Sequence, residues 1–240
     1  MARNARIIGP MDVQIQPLTP ELWPALAALF ESGGDPRWCW CMYWRLRGTD
    51  YSESSPEKNR AGLRSLVDRE RPPGLVAVDQ EGRVVGWVSL GPREEFERLE
   101  RSRVRPRVDD RPVWSIVCFV VARSARRQGL AGKLLDAAMS YAREQGAPRL
   151  EAYPVDTETG KPSSATLYTG TLSTFLRAGF KVVKEVDSPQ ATVARAIVRK
   201  ELRRRHYKLR PTTPAAGVAA GIAGNRARIA SRRLRRRLRR

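Results

Sequence analysis

The chain is 240 residues long, enough for one ordinary domain plus an extension, and 45 Lys and Arg against 25 Asp and Glu give it a net charge of +20. It has no apolar run of about eighteen residues to span a bilayer, and Met1–Pro20 lacks the apolar core of a signal peptide, so a cytoplasmic protein without a transmembrane segment is expected. Cys39, Cys41 and Cys118 are odd in number and lack framework spacing, and the one histidine is His206; this excludes a disulfide scaffold, so reduced thiols and no metal site are expected.

Residues 1–11 read as a flexible basic arm, with Met11 an alternative start. Asp12 to Pro17 alternates into an edge-like strand, and Leu22, Leu26, Leu29 and Phe30 mark a helix that stops at Gly33-Gly34. Next comes an aromatic run holding Trp38, Trp40 and Trp44, whose rings either pack the neighbouring helices onto a sheet or form the wall of a pocket. A helix is expected over Ser54 to Asp68, then a hairpin of strands Gly74–Asp79 and Val84–Leu90. A short charged helix over Arg93 to Arg103 and a loop to Pro112 follow.

Val113 to Val121 has β-branched and aromatic residues on both faces, as a central strand covered on both sides requires. After Gly129 the period changes: Leu130, Leu134, Ala138 and Tyr141 line one side of a helix. The turn between them, Arg123 to Lys133 (RSARRQGLAGK), combines small residues, cations and a helix N-terminus, a combination that suits a pyrophosphate. It contains no Gly-Lys-Ser/Thr run for a P-loop, and no acid ends the next strand as dinucleotide binding would want. Leu150 to Tyr153 is a further strand, Asp156 to Ser163 a polar loop, Ser164 to Ala178 a helix ended by Gly179, and Phe180–Val186 and Ala191–Val198 a final hairpin.

Arg126-x-x-Gly129-x-Ala131 resembles the Arg/Gln-x-x-Gly-x-Gly/Ala signature of the GNAT superfamily of acyl-CoA-dependent N-acyltransferases, and Phe175-x-x-x-Gly179-Phe180 resembles its Tyr-x-x-x-Gly-Phe ending. The resemblance covers residues 12–202. It implies an α/β (α+β) fold with a mixed, mostly antiparallel twisted sheet of about six to seven strands flanked by about four to five helices. It also implies transfer of an acetyl group from acetyl-CoA to a primary amine of a small molecule, peptide or protein, without a metal. On that mapping Arg126, Arg127, Gln128, Gly129, Leu130, Ala131 and Gly132 hold the pyrophosphate. The backbone of Cys118, Phe119 and Val120 takes the pantetheine and polarises the thioester.

The acceptor side is expected near Trp38, Trp40, Trp44 and Tyr153, where each ring would add about 0.5 to 2 kcal/mol over a charged group. The central strand has no acid, so the general base is sought elsewhere, at Asp156 or Glu151, acting directly or through water. Phe175 stands where many members have a proton-donating tyrosine. Tyr168 stands where the family often has a CoA-contacting asparagine; it touches the cofactor, replaces the acid, or packs a helix face.

Beyond residue 202 the resemblance stops. Residues 203–225 have linker composition, and residues 226–240 carry nine arginines, a segment expected to be disordered until it meets a polyanion. A second function is therefore nucleic-acid binding through residues 203–240 by a body that is inactive or senses acyl-CoA. Oligomeric state is not legible.

Overall fold

A computed structural model describes residues 12–163, 166–186 and 192–202. The expected arm, the linker, the Arg-rich segment and the nucleic-acid contact assigned to it lie outside the described residues.

Seven strands make one sheet: β1 (Gln14–Pro17), β2 (Gly74–Val78), β3 (Val84–Pro92), β4 (Trp114–Val121), β5 (Arg149–Ala152), β6 (Lys181–Val186) and β7 (Arg195–Glu201). Their spatial order is β1-β2-β3-β4-β5-β7-β6, and every pair is antiparallel except β4 with β5. The helices are α1 (Trp23–Glu31), α2 (Pro36–Cys39), α3 (Thr49–Ser52), α4 (Pro56–Val67), α5 (Glu97–Glu100), α6 (Leu130–Glu144) and α7 (Leu172–Arg177). Ser55 starts α4 by accepting the Lys58 amide, as an N-cap serine does. Among the described residues no helix is long and apolar enough to cross a membrane.

The period-two pattern of the strands divides the core in two. Leu75, Val88, Ile116 and Phe119 pack under Leu130, Leu134 and Ala138 of α6 and Phe175 of α7. Val76, Trp87, Val117 and Cys118 pack on the opposite face under Leu26 and Phe30 of α1 and Leu63 of α4. Val117 and Cys118 are consecutive yet face the same way because β4 carries a bulge: Cys118 pairs with Ser89, and Ile116 with the next β3 residue, Leu90.

Two expectations need correction. Of the helix expected over Ser164 to Ala178, the described residues form only α7, preceded by a 3-10 turn at Leu167–Thr169. Gly170 divides them with φ 83°, and a Cβ there would stand 2.9 Å from the Phe175 ring, so the helix cannot run through. The last strand, expected over Ala191 to Val198, runs from Arg195 to Glu201. Its register is set by long-range pairing with β5, which begins at Arg149↔Glu201.

Candidate active site

β4 and β5 pair only at Trp114↔Leu150, Ser115↔Glu151 and Ile116↔Ala152. β4 then continues to Val121 while β5 ends at Ala152, so the sheet opens between them. Ala122 donates its amide to Val85 of β3 at 2.9 Å. By ladder alternation Val120 and Cys118 also face β3, and Phe119 and Val121 turn their backbone groups to the gap. In agreement, the Val121 carbonyl accepts a bond from Arg126 Nε at 3.3 Å.

The turn after β4 supplies a second set of free groups. Arg127 (φ 62°) and Gly129 (φ 76°) have left-handed backbones. Among the described residues the amides of Arg127, Gln128, Gly129, Leu130 and Ala131 donate to no backbone carbonyl; the first to do so is Gly132, which bonds back to Gly129. Beyond their own chain neighbours and helix backbone, no atom lies within 4 Å of where a Cβ would stand on Gly129 or Gly132, so the turn is open around both glycines. Arg123, Arg126 and Arg127 are exposed beside them. Unbonded amides at a helix N-terminus, open space and three cations fit a pyrophosphate.

On the far side of the gap Val155 bridges both Thr171 and Arg195. Val155 also accepts from the Leu172 amide and donates to the Gly170 carbonyl. Tyr168 packs on the α1–α4 face, whereas Leu172 packs on the α6 face, so the chain between them passes from one face of the sheet to the other beside Val155. Burial raises the Tyr168 phenol above its usual pKa, an effect that Arg105 opposes.

Glu151 is 0% exposed. Its Oε1 accepts from Arg93 Nη1 at 2.7 Å and from the Tyr153 hydroxyl at 2.8 Å, and its Oε2 accepts from Arg199 Nη2 at 2.7 Å. Both oxygens are thus committed to buried partners. Tyr153 is equally enclosed: burial lifts its phenol well above the usual value, and its hydroxyl also meets Ser115 and Arg93. Asp156 is half-buried, with Oδ1 accepting the Glu158 amide at 3.0 Å and its own amide bonded to Ala194.

The three tryptophans part company. Trp40 (2% exposed) and Trp44 (3%) lie in the core, Trp40 turned inward by left-handed backbone at itself and Cys41. Trp38 is 43% exposed and borders a cavity of about 260 Å³ with Gly34, Arg37, Pro56 and Glu57. Trp40 touches Trp23 and Phe30, and Trp44 touches Tyr43 and Tyr153, so these two rings pack helices onto the sheet. The thiols of Cys118 and Cys41 share a hydrogen bond at 3.4 Å; that bond and burial push the Cys118 thiol well up, which makes it a poor nucleophile. Among the described residues no cluster could hold a metal ion.

The Acetyltransferase (GNAT) family is matched by residues 37–169, more than half of the chain. The chain belongs to the GNAT acetyltransferase family. It is accordingly a transferase, of a family that uses acyl-CoA. No curated protein matches it. Solved structures similar to this acetyltransferase include the histone acetyltransferase HPA2 and related acetyltransferase of Corynebacterium glutamicum, with TM-score 0.49 and 18% identity over 80% of this chain and 98% of that one. A GCN5-related N-acetyltransferase from Kribbella flavida has TM-score 0.48 and 19% identity over 79% and 98%.

Two side chains of the acetyltransferase at this site escape a reading of the sequence. Arg105 and Arg195 lie on the Tyr168 side of the sheet, and nothing in a chain with 45 Lys and Arg singles them out.

Proposed function

We propose that the enzyme transfers the acetyl group of acetyl-CoA to a primary amine that attacks the thioester directly. The observation that carries this reading is the run of backbone beyond the last β4–β5 pair, from Phe119 and Val121, which face the gap, to the amides of Arg127–Ala131, which donate to no backbone carbonyl. Acetyl-CoA supplies the activated acyl group. Gln128, Gly129, Leu130 and Ala131 hold its pyrophosphate with their amides, aided by Arg126, Arg127 and the small residue Gly132. Phe119 and Val121 bind the pantetheine as an added strand, while Cys118 and Val120 shape the channel beside them. The Phe119 amide is the donor to the thioester oxygen; one such donor is worth about 3 kcal/mol in the transition state.

An amine of pKa about 10.4 loses its proton at pH 7 at a cost of about 4.6 kcal/mol. Of the two carboxylates considered, Asp156 serves as base, because Glu151 has both oxygens bound by buried partners. Tyr168, kept protonated by burial, donates to the departing thiolate. Trp38 alone of the three tryptophans is open enough to border an acceptor, and Tyr153 orders Glu151 and Arg93 without reaching the acceptor. Calorimetric titration with acetyl-CoA, followed by a screen of amines for CoA release, tests the reading. Absence of acetyl-CoA binding would refute it.

A further inference from the structure

Most of the enclosed arginines on the α1–α4 face have an acid: Arg45 pairs with Glu95, Arg93 with Glu151 and Glu100, and Arg199 with Glu151 and Asp109. Arg105 and Arg195 break this pattern. Among the described residues neither forms an ion pair and neither guanidinium donates a hydrogen bond, although Arg105 Nε and Arg195 Nη1 are both shut off from solvent. A desolvated donor left unpaired is costly, so such donors mark a place where a partner binds.

Both are held in position from outside. The Arg105 carbonyl is anchored by Arg93 Nη2 at 2.8 Å, and its guanidinium stacks 5.0 Å from the centre of the Trp44 ring. Arg195 opens β7 opposite Val155 at the far wall of the gap. On β7 Ile197 packs into the α1–α4 face and Arg199 reaches Glu151, so period-two alternation puts Arg195 on that face too. The two cations lie within electrostatic reach of each other and of Tyr168, Arg105 also of Tyr43, and Tyr168 in turn lies within reach of Cys118 on β4. Burial lowers the proton affinity of Arg105, and the like charge of Arg195 lowers it further; a bound anion would relieve both effects.

We propose that Arg105 and Arg195 bind an oxyanion, a carboxylate or phosphate, carried by the acceptor close to its reacting amine, so that the substrate is an acidic amine. The inference rests on the acyltransfer reading and specifies its acceptor. Guanidinium forks suit oxyanions because two parallel N–H groups match two oxygens. Two such groups beside the gap would hold the amine near Asp156, which follows Val155 directly.

The test is calorimetric titration of the full chain with paired N-acetyl amino acids and N-acetyl amino amides carrying the side chains of Gly, Leu, Phe, Lys and Glu, plus N-acetylaminomethylphosphonate. At least one acid is expected to bind about tenfold to a hundredfold more tightly than its amide. R105M and R195M each abolish that preference, and R105K and R195K, which keep charge and lose the fork, retain part of it. Tighter binding of the phosphonate assigns the anion to phosphate, and tighter binding of the acids assigns it to carboxylate. The proposal is overturned if the wild-type protein prefers neither any acid over its amide nor the phosphonate over N-acetylglycinamide, or if the preference survives in either Met variant. Acetyl-CoA titrated into the same samples separates the two failures: loss of its binding to the wild-type protein refutes the acyltransfer reading, whereas intact binding with no acid preference refutes the acceptor class alone.

Discussion

Arg93 and Glu151, both without exposure to solvent, meet at 2.7 Å just below the point where β4 and β5 part. Arg199 closes on the other carboxylate oxygen, so one buried anion holds two buried cations that come from the segment after β3 and from β7. The network ties the two halves of the sheet together across their weakest junction.

Glu151→Gln should therefore act on stability. Removing one partner of a buried pair leaves uncompensated charge and costs about 3 to 5 kcal/mol. Urea unfolding should show the loss as a lower midpoint, and the double variant Arg93→Met/Glu151→Leu should lose less than the two single changes together, since they share one interaction. An unchanged midpoint with a changed pH–rate profile would instead return Glu151 to the role of base.

Gly129→Glu tests the phosphate turn with little risk to the fold. No atom stands near the new Cβ, so the expected structural cost is the left-handed backbone alone, about 1 kcal/mol. A carboxylate at this helix start repels the pyrophosphate, and acetyl-CoA affinity should fall by about 2 kcal/mol or more, roughly thirtyfold. Calorimetry reads the loss; undiminished affinity would place the cofactor elsewhere.

Asp156→Asn should lower kcat/KM by about 10² to 10⁴ and flatten its rise with pH. Tyr168→Phe should have a smaller effect, about tenfold, because a thiol of pKa about 8.5 leaves tolerably as an anion. Stopped-time assays of CoA release across pH 6 to 9, a window of about three units around the usual operating range, distinguish the two roles.

Asp109 gives an acid-stability prediction. Partial desolvation works against its ionised form, but hydrogen bonds from Arg199 and Arg111 prevail and hold its pKa at about 2. Since the unfolded value is about 3.9, the contribution is complete above that pH and is lost as pH falls toward 2. Melting temperatures measured from pH 5 to pH 2, about the span of that titration, should fall less steeply for Asp109→Asn than for the wild-type chain.

The motif and the order of elements along the chain are legible because both rest on local pattern. Arg126, Gly129 and Ala131 sit at a strand-to-helix junction that the change from period two to period 3.6 already announces. Ser164 to Ala178 misleads because its apolar residues recur like those of a helix, whereas the contact between Gly170 and Phe175 that breaks it depends on how the chain crosses the sheet.

The amino-acid sequence alone determined the family and the order of strands and helices along the chain, since short-range spacing dictates backbone conformation. Tertiary structure alone decided which charges are free. Glu151 and Asp156 look alike in the chain, as do Arg93, Arg105, Arg195 and Arg199, yet long-range pairing buries Glu151 between two arginines and leaves Arg105 and Arg195 without an anion among the described residues. A side chain's chemistry depends on its desolvation and its partners, and those partners come from elements up to about a hundred residues apart, beyond the reach of any local pattern.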